Sequence, residues 1–404
     1  MKSKNLLAIA VCGLLQVGVT THASENVSDS LMEAFSNGNT SLSFRYRFEF
    51  VDQDGFDKNA NASTVRTRLN YKTEAYKGFS FFIEADNVTE VFIDDYNAGA
   101  GNSPGNGAYP VVADPQGTEI NQVWFNYDFS EGNGIKVGRQ RILLDNQRFV
   151  GGVGWRQNEQ TYDGISGSFK FANNKLFVAY VDNVNRIFGE DVAAGDHDNS
   201  TLLVNWSNKV GDISKITAYY YDINNKDAAA FSTATLGAKF AGNIDAFNYA
   251  LEFANQNDAH NNAVDYSANY WRIDAGYKFK PVTLFGGYEV LEGDANNAGS
   301  MFRTPLATLH AFNGWADKFL GTPADGLEDL FIGVKGNISG FKWQAIYHDF
   351  NAQDGGRDLG SELDLAIAKK VNKHLSLLLK AAFYDADTHA SDTSKVWFMV
   401  SSSF

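Results

Sequence analysis

Along much of the chain, apolar and polar residues change places at every step. In "SLSFRYRFEFVD", Leu42, Phe44, Tyr46, Phe48 and Phe50 alternate with Ser43, Arg45, Arg47 and Glu49. Such a period of two marks a strand with one apolar and one charged face. "TVRTRLNYKTEAY" repeats the scheme, with Val65, Leu69 and Tyr71 on one side and Arg66, Arg68, Asn70, Lys72 and Glu74 on the other. The pattern predicts strands over 39–52, 63–76, 78–90, 118–130, 133–142, 160–172, 174–184, 199–209 and 213–223. It continues over 231–241, 244–256, 264–280 (unusually long), 281–291, 327–337, 340–351, 358–371, 373–386 and 392–404. That makes an even set of about 18 strands.

Connection length decides what such strands build. Short turns such as "YKG", "SEGNG", "KVGD", "NISG" and "KKVNK" alternate with longer polar loops, the largest near 91–117, 143–159 and 292–326. A sandwich or propeller has no reason to sort its connections this way. A transmembrane antiparallel up-and-down β-barrel does, with short periplasmic turns and long external loops. The last strand, "SKVWFMVSSSF", puts Val396, Phe398, Val400 and the terminal Phe404 on one face. An ending in Phe is the expected signal to the barrel-assembly machinery.

The N-terminus sets the compartment. Lys2 and Lys4 precede an apolar run, Leu6 to Val19, that closes on Thr21-His22-Ala23. This reads as a signal peptide over 1–23, followed by a lead-in over 24–38 and a barrel over 39–404. Two lysines and no acid leave with the leader, which takes the net charge from −14 to −16. The only cysteine, Cys12, leaves too. So acidic a chain is a poor match for nucleic acid, whose binding rests on clustered positive charge. Abundant aromatics, 37 glycines and no long apolar run agree with an exported barrel in a Gram-negative outer membrane, in contact with lipid and lipopolysaccharide.

Catalytic motifs are missing. "GGVGW" at 151–155 is no dinucleotide fingerprint, and neither GxxxxGK[ST] nor HExxH occurs. "GDHDN" places Asp196, His197 and Asp198 in a predicted external loop, a pairing that resembles outer-membrane proteases of the omptin type. That reading lacks a placeable second acidic pair, and a solvated loop is the simpler one. Acidic loop segments such as "VDQDGFD" and "FIDDY" are read as solvated, the alternative being Ca or Mg bridges to lipopolysaccharide. No cofactor and no protein-held metal are expected.

Arginine is distributed unevenly. Eight of the twelve, Arg45, Arg47, Arg66, Arg68, Arg139, Arg141, Arg148 and Arg156, precede residue 157. Alternation places the first four away from lipid, where a cation at mid-membrane costs about 2–4 kcal/mol. Arg139 and Arg141 share the parity of lipid-like Ile135 and Val137, so only a bulge turns them inward. The functional reading is a basic stripe leading to a constriction for small hydrophilic or anionic solutes. The structural alternative is pairing with Glu49, Glu84 and Asp86, and a simple hairpin register sets Arg47 opposite Arg68 and Arg68 opposite Asp86.

Two blocks carry a family likeness. "VGRQRILLDNQRFVGGVGWRQNEQTYDG" and "TPLATLHAFNGWADKFLGTPADGLEDLFIG" resemble segments of alginate-export-type outer-membrane channels. The resemblance implies an eighteen-stranded monomeric barrel with an arginine-rich lumen, which in the family's namesake conducts a polyuronate. Positions matching the first block are Arg139, Gln140, Asp145, Gln147, Arg148, Arg156 and Gln157, of which Asp145 and Gln147 are expected beside the arginines at the constriction, and in the second Thr308, His310, Trp315 and Asp317. In the namesake a long periplasmic turn plugs the pore, where this chain has only "KKVNK". A porin for small, acidic-sugar or other anionic solutes is therefore expected before a dedicated polysaccharide exporter. In the second block, Leu309, Phe312, Trp315 (or Ala316) and Phe319 recur at helical spacing, which predicts a short helix packing the external mouth.

Overall fold

The computed structural model describes residues 30–404. The leader expected over 1–23 lies outside the described residues. The lead-in contains one element, α1 (Leu31–Ser36). Its N-terminus is closed by a capping box: Glu33 N donates to Ser30 Oγ (3.1 Å) and Ser30 N to the Glu33 carboxylate (3.0 Å). The helix docks on the barrel end, where Glu74 N donates to Ala34 O.

Eighteen antiparallel strands follow. They are β1 (Asn39–Gln53), β2 (Ala60–Lys72), β3 (Phe79–Asp95), β4 (Gly117–Ser130), β5 (Asn133–Gln140) and β6 (Thr161–Phe171). Next come β7 (Asn174–Asn185), β8 (Asp196–Val210), β9 (Ser214–Ile223), β10 (Thr233–Ile244), β11 (Phe247–Asp258) and β12 (Ser267–Phe279). The last six are β13 (Val282–Leu291), β14 (Leu327–Ile338), β15 (Phe341–Asn351), β16 (Asp358–Lys370), β17 (Leu375–Ala386) and β18 (Thr393–Ser403). Each pairs with its sequence neighbours, and β1 pairs with β18 from Ser43↔Ser403 to Gln53↔Thr393. Leu42 and Phe404 exchange backbone hydrogen bonds of 3.2 and 2.9 Å at that seam. Closure leaves no free sheet edge, the condition for backbone to cross lipid without helices.

The sequence strands are recovered with small shifts. The segment over 264–280 is ordinary in length, because Tyr266 and its predecessors belong to a loop. Strand β2 starts at Ala60 rather than 63, and Val51 pairs with Ala60. That tighter hairpin changes the register: Arg45 faces Arg66 and Arg47 faces Thr64, so the expected Arg47–Arg68 opposition does not form. Arg68 does face Asp86. Asp196, His197 and Asp198 open β8 instead of lying in a loop.

Side-chain direction follows the alternation. In β16 the outward Leu363, Leu365 and Ile367 are exposed, whereas the inward Glu362 and Asp364 are buried. Aromatic rings gather on the outer face near the short-turn end, for example Phe79 stacked on Tyr127 and Tyr277 tilted against Phe279, as in the interfacial girdles of membrane barrels. The inward groups are buried because two long loops, 141–160 and 292–326, fold into the barrel. Phe149 and Val150 from the first and Phe302 and Leu306 from the second pack on Leu203, Tyr219 and Tyr270 of the wall. The Phe149 ring lies 5.1 Å from that of Tyr219 and 5.2 Å from that of Tyr270. Burying each such side chain contributes about 1.5–3 kcal/mol, enough to hold a loop inside a wet lumen.

Candidate functional site

The two inward loops are joined to each other before they meet the wall. Gly151 N donates to Leu306 O (2.8 Å) and Thr308 N to Gln147 O (3.0 Å), a short parallel bridge. Gln147 also accepts from Gly152 N (3.2 Å) and from the Thr308 hydroxyl (2.9 Å). A side chain at Gly151 would run into Thr308, so only glycine permits this approach. Asp145 bonds Asn205 (2.7 Å) and sits 3.4 Å from Lys215 on the β8–β9 wall. Asp145 and Gln147, expected near the constriction, thus position the loop instead of meeting the arginine wall.

The joined loops press "GWRQ", residues 154–157, against four inward arginines of β1 and β2. Arg45 donates Nε to Gln157 (2.9 Å) and Nη1 to Gly154 O (2.9 Å), and its Nη2 meets Arg156 O. These are all neutral acceptors, and among the described residues Arg45 makes no ion pair. Arg47 differs. It lies 4.2 Å above the Trp155 ring and pairs with Glu49 (3.2 Å) and Asp114 (3.5 Å). Arg66 reaches Glu159 only at 3.7 Å, and its Nε lacks a hydrogen-bond partner. Arg68 holds Asp86 through two bonds (2.6 and 2.5 Å) and Glu159 at 2.7 Å.

The other four arginines divide. In β5 the pairing runs without a bulge from Ile135 to Arg139, so Arg139 keeps the outward parity of Val137. At the outer rim it pairs with Asp163 (2.9 Å) and Glu190 (2.6 Å), and it does not line the lumen. Arg141 lies past the strand end, free of that parity, and turns inward to Glu84 (2.5 Å) and Glu159. Arg148 crosses the lumen to Glu289 (2.6 Å) and to Asn313 (2.9 Å). Arg156 bridges Glu49 (3.1 Å) and Asp317 (2.9 Å).

His310, Trp315 and Asp317, expected at the mouth, are buried in the barrel. The predicted helix reduces to one turn, Leu309–Ala311, because packing on the wall overrides the apolar spacing. The His310 ring stacks on Trp155 at 4.5 Å, and its two nitrogens meet Asp317 (2.6 Å) and Lys380 Nζ (2.7 Å). Lys380 Nζ also lies 3.6 Å from the centre of the Trp315 ring. Trp315 N and Ala316 N (2.7 Å) donate to one oxygen of Glu362. Gly314 (φ +82°) allows that approach, since a side chain there would strike the carboxylate.

Charge in the loops follows from these contacts. Burial alone would raise the carboxyl of Glu159, but Arg68 and Arg141 outweigh it and hold it down to about 2. Burial likewise opposes ionisation of Asp317, yet His310, Lys395 and Arg156 hold it well below the ordinary carboxylate range. Both are therefore fixed anions at neutral pH. Asp114, Glu159, Glu289, Glu362, Lys380 and Lys395 were not picked out from the sequence. Inward parity marked the last four, but nothing local showed which loop arginine each would meet.

No catalytic pairing forms at His197. Its Nδ1 bonds Asn225 (2.9 Å), while Asp198 turns to Lys226 (2.9 Å) and Asp196 to Asn183. Alternation along β8 sends the two acids to the opposite face.

Comparison with known proteins fits this architecture. Acinetobacter baumannii OccAB2 aligns with a TM-score of 0.71 at 17% identity, over 92% of this chain and 99% of its own. OccAB1 of the same organism gives 0.71 at 12% identity, over 92% and 97%. Pseudomonas aeruginosa OpdK, solved with vanillate, gives 0.67 at 10% identity, over 91% and 98%. At these identities the likeness is one of fold. A comparison with curated proteins returned no match. The alginate export model, however, matches residues 36–291, well over half of the sequence, and includes the first of the two resembling blocks. The chain belongs to the alginate export family.

Proposed function

We propose that the barrel is a passive outer-membrane channel for small hydrophilic solutes, in which anions, acidic sugars among them, are favoured beside Arg45 and Arg66. The observation that carries the anion preference is the state of Arg45. Three of its five N–H groups are held by neutral acceptors, and among the described residues no carboxylate forms an ion pair with it. Arg66 is nearly as free. By contrast Arg47, Arg68, Arg141, Arg148 and Arg156 spend their charge on carboxylates that fix the loops, so the arginines do not act as one stripe. OpdK, similar in fold, was solved with vanillate, a small carboxylate. Lipid and lipopolysaccharide around the outer face, and an assembly machinery that recognises the Phe404 strand, belong to the same reading.

The test is the reversal potential of single channels in a planar bilayer under a KCl gradient. Wild type should be anion-selective, Arg45→Gln should lose most of that selectivity, and Arg148→Gln should change it little. Cation selectivity in wild type sinks the anion preference, and absence of any conductance sinks the channel. The family match favours a second reading, export of a polyuronate. It predicts low open conductance and block by added polyuronate, which a diffusion channel for small solutes does not show.

A further inference from the structure

We infer that α1 is an interfacial foot: it lies on the outer side of the wall at the short-turn end and rests its apolar face among the phospholipids of the periplasmic leaflet. Three of its six side chains are large, apolar and open, with Leu31 at 58%, Met32 at 76% and Phe35 at 46% exposure. At about 100° per residue these three share one arc of the helix, and Glu33 takes the opposite side. Ala34, beyond one edge of the arc, is buried. Exposed apolar side chains grouped in this way mark a surface that something covers, unlike singly scattered ones.

The wall decides which side of the barrel the helix occupies. Tyr71 has the outward parity of Leu69, which is exposed. Its hydroxyl donates to Phe35 O, and Glu74 N donates to Ala34 O (3.1 Å). Asn37 Nδ2 adds a bond to the Glu74 carboxylate (3.4 Å). The Tyr71 ring passes so close to Gly38 that any Cβ there would run into it. The link from α1 to β1 therefore crosses the outer face of β2 and not the lumen.

Height and area name the occupant. Tyr71 is the next to last residue of β2, and the turn after it carries the Tyr76–Phe79 bridge. This sets α1 at the level of the aromatic girdle around Phe79 and Tyr127. Girdle rings sit where headgroups meet acyl chains, and short turns face the periplasm in barrels of this kind. The apolar face of α1 thus continues the lipid-facing surface of β1, β2 and β3, where Phe44, Leu69 and Phe79 are exposed. A protein partner fits less well, because a specific interface needs on the order of 1,000 Å², more than three part-exposed side chains offer. An amphipathic helix lying in the interface needs no such area. Seated there, α1 ties the lead-in to the membrane beside the β1–β18 seam that closes the barrel. The inference needs only the outer-membrane placement and is independent of what the channel conducts.

The test is the depth of nitroxide labels on the full barrel in phosphatidylethanolamine–phosphatidylglycerol vesicles. Each label sits on a single cysteine in a Cys12→Ser background. The positions are Met32→Cys, Leu365→Cys as the lipid reference and the exposed Asp94→Cys as the water reference. Relaxation by oxygen, which concentrates in lipid, is compared with relaxation by a water-soluble nickel chelate. The oxygen-to-nickel ratio at Met32 should approach that at Leu365 and exceed that at Asp94 at least about threefold. Adding Phe35→Gln should lower the Met32 ratio at least about twofold, since one of three anchoring side chains is lost, while heat-modifiable mobility on gels is kept. A Met32 ratio equal to that at Asp94 overturns the inference, as does an unchanged ratio in Phe35→Gln. Shielding of Met32 from both reagents assigns the face to a second barrel and overturns it too.

Discussion

At the scale of single residues, the interior shows that a charge in a barrel lumen acts through whatever already neutralises it. Arg148 is buried against Glu289, which also serves Arg272 (3.2 Å). Removing one partner of a buried pair leaves an uncompensated charge, at a cost of about 3–5 kcal/mol. Arg148→Ala should therefore lower the urea midpoint of the barrel in detergent, whereas Arg139→Ala at the outer rim should shift it by under about 1 kcal/mol. Glu159 supplies a pH-dependent counterpart. Its folded carboxyl is held down to about 2, below its ordinary value near 4.5. Its contribution is thus complete above pH 4.5 and is lost as pH falls from there through about 2. Hydrogen-exchange protection factors in residues 154–160 should fall as pH drops across that window in wild type. In Glu159→Gln they should already be lowered at pH 7 and should stay level.

At the scale of elements, loop 292–326 is held by a few contacts of high value. Glu362 accepts from two consecutive backbone N–H groups beside Gly314, and Lys380 is clasped between His310 and the rings of Trp155 and Trp315. Glu362→Ala orphans both donors, each worth about 1–3 kcal/mol when buried unpaired. The loop should then leave the lumen, which predicts a larger single-channel conductance and new protease cuts within 292–326. Unchanged conductance with an intact loop would show that the aromatic packing alone holds it.

At the scale of the whole molecule, the same barrel solves two burial problems with opposite chemistry. Outside, every second residue meets lipid, so Leu365→Arg should destabilise by about 2–4 kcal/mol if it lies near the midplane. Inside, the wall carries charge on β1, β2, β13, β14 and β16, and the inward loops both cover it and supply its counterions. Loss of heat-modifiable mobility on gels reports the first effect, since it follows the barrel and not the loops. Removing Phe404 should slow assembly in the same assay, because it takes away both backbone bonds to Leu42.

Strand number, order, direction and in-or-out facing were legible in the sequence, because alternation is local and a period of two leaves one choice once one face must meet lipid. The family was legible too, through "VGRQRILLDNQRFVGGVGWRQ", whose loop and its partner near 304–326 carry the resemblance. Tertiary structure decided what the arginines do. Whether Arg45 is free while Arg47 is neutralised depends on Asp114 and Glu49, on a hairpin register set by where β2 begins, and on a loop arriving from a hundred residues away. Those are contacts between segments distant in sequence, and no local pattern encodes them.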